Sequence, residues 1–140
     1  SSSSSGGGGG GGNVDAWHRY ISLEERDDNG TPARIQCIFE RAIRKNALDA
    51  SLWLRYVRFA MKVFGTSAHT FCIMKEISDR AIRNVTWCGA LHVARILIYE
   101  IGNSSADVMH QLINTTLSTT LATPQDLVVV VVAATNYYWR

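Results

Sequence analysis

Apolar residues recur along this chain three and four positions apart rather than two. Ile35, Ile38, Phe39, Ala42 and Ile43 follow the i, i+3, i+4, i+7, i+8 rhythm of one helical face. Trp53, Tyr56, Val57, Ala60, Met61 and Phe64 repeat that rhythm, and Met74, Ile77, Ala81, Ile82 and Val85 form a third stripe. Such stripes bury one side of a helix and leave the other to water.

The residues between the stripes punctuate them. Asp28-Asn29-Gly30 stops one segment, and Thr31-Pro32 starts the next. Thr can cap the free N–H groups of a first turn, and Pro fits there because its missing N–H costs nothing. The same pair recurs at Thr123-Pro124, with Asp126 placed toward the positive helix end. Ser104 and Asp107 have the spacing of a capping box. With Gly65-Thr66-Ser67 and Gly102-Asn103-Ser104 these cues predict seven helices, roughly over 14–27, 31–46, 49–64, 67–84, 88–102, 105–120 and 124–138.

One segment breaks the amphipathic pattern. Leu127 to Ala134 is apolar throughout and contains five consecutive valines. It is far shorter than the about 20 residues a membrane-spanning helix needs, so no membrane span is expected and the run reads as a buried element. Five β-branched residues would also suit a strand. Thr123-Pro124 ahead of them favours a helix.

Composition adds little to this picture and removes several alternatives. Ser1–Ser5 and Gly6–Gly12 have no side chains to bury, so residues 1–12 read as a disordered linker and 13–140 as the folded part. The chain does not begin with Met and reads as a piece of something longer; no basic stretch precedes an apolar one, so no signal peptide is expected. Cys37, Cys72 and Cys88 are odd in number and widely spaced, which argues for a reducing compartment rather than a disulfide framework. The formal charge of +2 says little about partners.

The helices repeat in pairs. Trp17-x-x-Tyr20-Ile21 returns as Trp53-x-x-Tyr56-Val57, and Glu40-Arg41-Ala42-Ile43 returns as Asp79-Arg80-Ala81-Ile82. Paired helices recurring at intervals of 36 and 39 residues mean stacked helical hairpins. Each is too small to bury its own stripe and gains a core by stacking on the next.

Trp17, Tyr20, Ile21 and Glu24 on one helix, followed by Ala33, Arg34, Ile38, Phe39, Glu40, Arg41, Ala42 and Ile43 on the next, resemble the half-a-tetratricopeptide (HAT) repeat. Trp53, Tyr56, Asp79 and Arg80 mark a second repeat, in which Ala60 stands where an acid is usual. In a third, His92 takes the Trp place and Arg95 the Tyr place, and Asn114-Thr115-Thr116-Leu117 replaces the acid-Arg-Ala-Ile block. The repeats would span about 14–46, 49–85 and 88–120, with a partial fourth over 124–138 in which Val128 takes the Trp place. The resemblance implies an all-α superhelix of about seven antiparallel-stacked helices. It also implies a nuclear, non-catalytic scaffold in RNA processing, above all pre-mRNA splicing and the assembly or recycling of small nuclear ribonucleoproteins (snRNPs). Scaffolds of mRNA 3′-end processing and ribosomal RNA maturation are the family's other roles.

The motif residues read as architecture. Aromatics at helical spacing fill a hairpin interior, and a buried Tyr hydroxyl needs a polar partner. Glu24 and Arg41 are the expected acid–guanidinium pair across the first hairpin. Surface charge is the better guide to binding. Between Arg34 and Arg83 stand ten basic residues and four acidic ones. Arg55, Arg58 and Lys62 share a helical face opposite Trp53, while Arg44 and Lys45 end a helix, where cations are favoured anyway. These five are the candidate surface for partner proteins of an RNA-processing complex or for RNA itself. A second copy of the chain is a further candidate partner, because a cut solenoid exposes an apolar face.

Catalytic and metal chemistry find no residues. His69 with Cys72, and Cys88 with His92, could each place two ligands on one face, but a structural zinc site needs four. No Ser/His/Asp arrangement is recognisable, and Gly6–Gly12 follows no strand, so it is not a phosphate cradle. No enzyme activity and no cofactor are expected.

Overall fold

The computed structural model describes residues 14–140. The linker expected over 1–12 lies outside the described residues. Seven α-helices follow one another: α1 Val14–Arg26, α2 Pro32–Lys45, α3 Ala50–Phe64, α4 Phe71–Asn84, α5 Gly89–Ile101, α6 Ala106–Ser118 and α7 Pro124–Trp139. The chain is all-α across the described residues, as the stripes predict.

Local chemistry explains the boundaries. Thr31 caps α2 by accepting the Arg34 N–H, with Pro32 in the first turn. Thr123 does the same for α7 through Asp126, and Asp49 caps α3 through Leu52. The helix expected over 67–84 is divided. Ala68–Thr70 form a 3-10 turn before α4, and the Thr70 hydroxyl is bonded to the carbonyls of Ser67 and Phe64.

The expected capping box at Ser104 does not form. Ser105 is the N-cap of α6, and its side chain makes no capping bond. Ser104 is already committed to closing α5: its N–H donates to the Tyr99 carbonyl at 3.2 Å, and the Asn103 N–H to Glu100 at 3.0 Å. Asn103 supplies the left-handed turn this closure requires, at φ 58°.

Helices α3, α5 and α7 pack against one another in sequence, while α2, α4 and α6 pack mainly on those first helices. The first helices therefore form an inner layer and the second helices an outer one. One core runs from Ile21 through Phe39, Trp53, Tyr56 and Met74 to Ile98. A smaller one joins Ile96, Met109, Leu112, Ile113 and Ala134. At the start of α5 the chain comes so close to α7 that a Cβ on Gly89 would lie 2.5 Å from the Asp126 carbonyl oxygen. Only glycine fits there.

The valine run is helical, because the Thr123-Pro124 start prevails over β-branching. It is not, however, a buried element. Only Val130 and Ala134, one turn apart, are buried on α7, and Leu127, Val128, Val129, Val131 and Val132 stay exposed. A helix packed mainly against α5 and α6 can cover one narrow stripe.

Candidate interaction groove

The repeat-motif residues lie where adjacent repeats meet. Tyr56 is fully buried, stacks on Phe39 at 5.0 Å, and donates its hydroxyl to Glu40 Oε2 at 2.7 Å. Gln36 donates to the same hydroxyl at 3.3 Å. Burial first, and then the bond to Glu40, push the phenol well above its ordinary range. Arg80 reaches Glu40 Oε2 at 3.5 Å and lies over the Trp53 ring at 5.9 Å. The Trp53 ring N–H donates to the Ala47 carbonyl at 2.7 Å.

The next repeat reproduces these links with other residues. Asp79, in the place of Glu40, pairs with Arg95, in the place of Tyr56, at 3.6 Å. His92, in the place of Trp53, bonds through Nε2 to the Thr86 carbonyl at 2.8 Å, six residues back, like the Trp53–Ala47 bond. A carbonyl can only accept, so Nε2 carries the proton and Nδ1 is the bare nitrogen. Nδ1 is buried without a partner. Burial lowers the His92 pKa, against the Thr86 bond, which raises it, and with Arg95, which lowers it.

The first repeat departs from expectation. Glu24 pairs with Arg34 at 4.0 Å, not with Arg41, which is exposed and has no ion pair among the described residues. Trp17 is half-buried, and Tyr20 is 45% exposed. The reason lies in the register. The acid that receives Tyr56 stands on the second helix of the preceding repeat, and the described residues hold no such helix ahead of α1.

The five candidate binding cations separate into two groups. Arg55, Arg58 and Lys62 line one depression of about 410 Å³ with Glu25, Gly30, Pro32, Ile35, Phe59 and Val63. Arg55 is tied down in it: Glu25 lies at 3.9 Å, and the guanidinium meets His18 Nδ1 at 3.3 Å. Burial, then the charge of Arg55, hold the His18 pKa below its ordinary value, against Asp49 and Asp15. His18 carries no repeat-motif signal, and sequence reasoning missed it. Arg58 and Lys62 are exposed and have no ion pair among the described residues. Arg44 and Lys45 stand apart, exposed at the far end of α2.

The groove continues beyond the cations. Arg58 also borders a second depression of about 240 Å³, whose other walls are Leu54 and Met61 of α3, Ala90, Val93, Ala94 and Leu97 of α5, and Val129 of α7. Val93, Leu97 and Val129 are shared with a third, of about 230 Å³, between α5 and α7. A trough thus crosses the inner layer, cationic at one end and apolar through its middle, with Glu100, Asn136 and Arg140 among the walls of its far end. Among the described residues no helix is long and apolar enough to cross a membrane, and no three His, Cys, Asp or Glu side chains gather as a metal site.

A family model described as PRP39 C-terminal HAT repeat matches residues 11–137. Spliceosome associated factor 3, U4/U6 recycling protein, of Homo sapiens is 34% identical over 105 residues, covering 75% of this chain and 10% of its own length. The protein of that name in Mus musculus is 34% identical over 84 residues, 60% of this chain and 8% of its own. That of Danio rerio is 34% identical over 89 residues, again 60% and 8%. The chain spans about a tenth of the length of the curated relatives it matches.

Proposed function

The chain belongs to the HAT-repeat family, and from that premise we propose that it is a non-catalytic scaffold in nuclear pre-mRNA splicing. Its repeats hold partner proteins during the assembly or recycling of snRNPs. The name of the matched relatives supports the pathway. The observation that carries the mode of action is how the motif residues are spent. Trp53, Tyr56, Glu40 and Arg80 are turned toward each other between repeats, and Asp79 is turned toward Arg95. They rigidify the stack and leave the inner trough open. A rigid, broad groove suits a partner segment, because little ordering entropy is lost on the scaffold's side.

Affinity purification of the tagged chain from nuclear extract, with and without ribonuclease, tests this. U4/U6 snRNP proteins should co-purify and should remain after ribonuclease treatment. Recovery of 3′-end processing or ribosomal RNA maturation factors in their place would overturn the pathway. Complete loss on ribonuclease treatment would overturn the protein-scaffold reading and leave direct RNA binding.

A further inference from the structure

We propose that the inner trough takes one partner segment of defined chemistry: a peptide with acidic side chains at one end and large apolar side chains about one helix interval away. This rests on the scaffold reading and narrows it to a site and a partner class.

Three observations carry it. First, the trough is continuous. Arg58 borders both the first and second depressions, and Val93, Leu97 and Val129 border both the second and third. Second, its charge is one-sided. Arg58 and Lys62 are exposed and have no ion pair among the described residues, over a floor of Ile35, Phe59 and Val63. An acid placed there meets cations that no carboxylate of the described residues neutralises. Third, most of the remainder is apolar and open. Leu97 of α5 and Val129 and Val132 of α7 are exposed along it. Contiguous exposed apolar surface rimmed by charge marks a place where a partner is buried.

The spacing follows from the packing. Adjacent packed helices lie about 8–10 Å apart, so a ligand crossing from the cations to the Leu54–Met61–Leu97 depression moves by about that distance. A helical segment covers it in roughly two turns. An extended one needs about three residues. The acids and the apolar anchors of the partner are therefore close in sequence.

The same surface argues against RNA as its occupant. A bound strand needs cations along its whole path and flat rings for its bases. Here no cation follows Arg58 in the second depression and no aromatic ring lines it, and the cation of the third, Arg140, is paired with Glu100 at 3.0 Å.

A random sixteen-residue peptide library displayed on phage, selected on the 140-residue chain, tests the proposal. The probes are the enriched peptides made synthetically, and a twenty-nucleotide oligouridine. The enriched peptides should share an acidic cluster next to two or more large apolar residues. Their affinity should fall at least tenfold in Arg58→Glu/Lys62→Glu, and at least tenfold in Leu97→Asp/Val129→Asp. Both variants change exposed positions and should keep wild-type helicity by circular dichroism. If Leu97→Asp/Val129→Asp loses helicity, Leu97→Ser/Val129→Ser takes its place. Peptides that bind but are indifferent to both variants would sink the groove assignment and leave the scaffold reading standing. No enriched peptide, together with oligouridine binding that Arg58→Glu/Lys62→Glu abolishes, would overturn both.

Discussion

Glu40, on the second helix of one repeat, accepts the hydroxyl of Tyr56, on the first helix of the next, at 2.7 Å, and Arg80 reaches the same carboxylate oxygen at 3.5 Å. One oxygen thereby joins α2, α3 and α4. A hydrogen bond to a charged group contributes about 1.5–3 kcal/mol. Tyr56→Phe should lower unfolding stability by about 1–2 kcal/mol, because the aromatic packing on Phe39 survives. Glu40→Ala should cost a similar amount, since it strands a buried hydroxyl on the weaker Gln36 contact. The double variant should lose less than the sum, by about 1 kcal/mol, in urea unfolding followed by circular dichroism. Strictly additive losses would show that the bond contributes nothing.

His92 gives the fold a dependence on pH. Its pKa is lowered in the folded state by burial, so the unfolded chain takes up the proton more readily. Stability is then fully present above the ordinary value of 6.5 and falls as pH drops below it. His18, also lowered, adds in the same direction. Urea midpoints should decline as pH falls from about 6.5 to 5.5, a window above the titration of ordinary carboxylates. His92→Gln should flatten the slope, leaving only the share of His18. A midpoint that rises on acidification would contradict the assignment.

The same residue shows what was legible in the sequence. Periodicity and caps carry the seven helices because each is a local signal: Ile35 to Ile43 bury one face, and Thr31-Pro32 starts their helix. The repeat offset places Arg95 in the register of Tyr56 and His92 in that of Trp53. It does not say that the substitutes make equivalent bonds, which depends on which atoms reach a carbonyl or an acid across the interface. Matching an acid to a guanidinium by residue type pairs Glu24 with Arg41, whereas geometry brings Arg34 to it. Ser104 has the spacing of a cap, but the α5 closure takes its backbone first. Grouping Arg55, Arg58 and Lys62 needed only one helix. Joining them to Leu97 and Val129 needed three helices that do not neighbour one another in sequence.

The valine helix should respond in opposite ways on its two sides. Val128 and Val131 are exposed, and each gives up χ1 freedom in a helix without burying its side chain fully. Val128→Ala and Val131→Ala should each stabilise α7 by about 0.5 kcal/mol through helix propensity. Val130 is fully buried, and Val130→Ala should destabilise by about 1–3 kcal/mol through lost burial and the cavity left behind. Amide hydrogen exchange of α7 reads both effects. Faster exchange in the exposed-site variants would mean that those valines are packed after all.

Arg55 and its two neighbours on the basic face should separate when changed one at a time. Arg55 reaches Glu25 at 3.9 Å and His18 at 3.3 Å, so it ties α1 to α3. Arg55→Glu places like charges together at Glu25, so α1 should exchange its amides faster and the thermal midpoint should fall. The loss is small, about 1 kcal/mol, since exposed ion pairs contribute about 0–1 kcal/mol. Arg58→Glu and Lys62→Glu touch no partner among the described residues and should stay within about 0.5 kcal/mol of wild type. A binding defect seen with all three reversed could thus come from a loosened α1. The same defect seen with Arg58 and Lys62 alone belongs to the groove. Equal thermal losses for the three single variants would show that Arg55 does not tie α1 to α3.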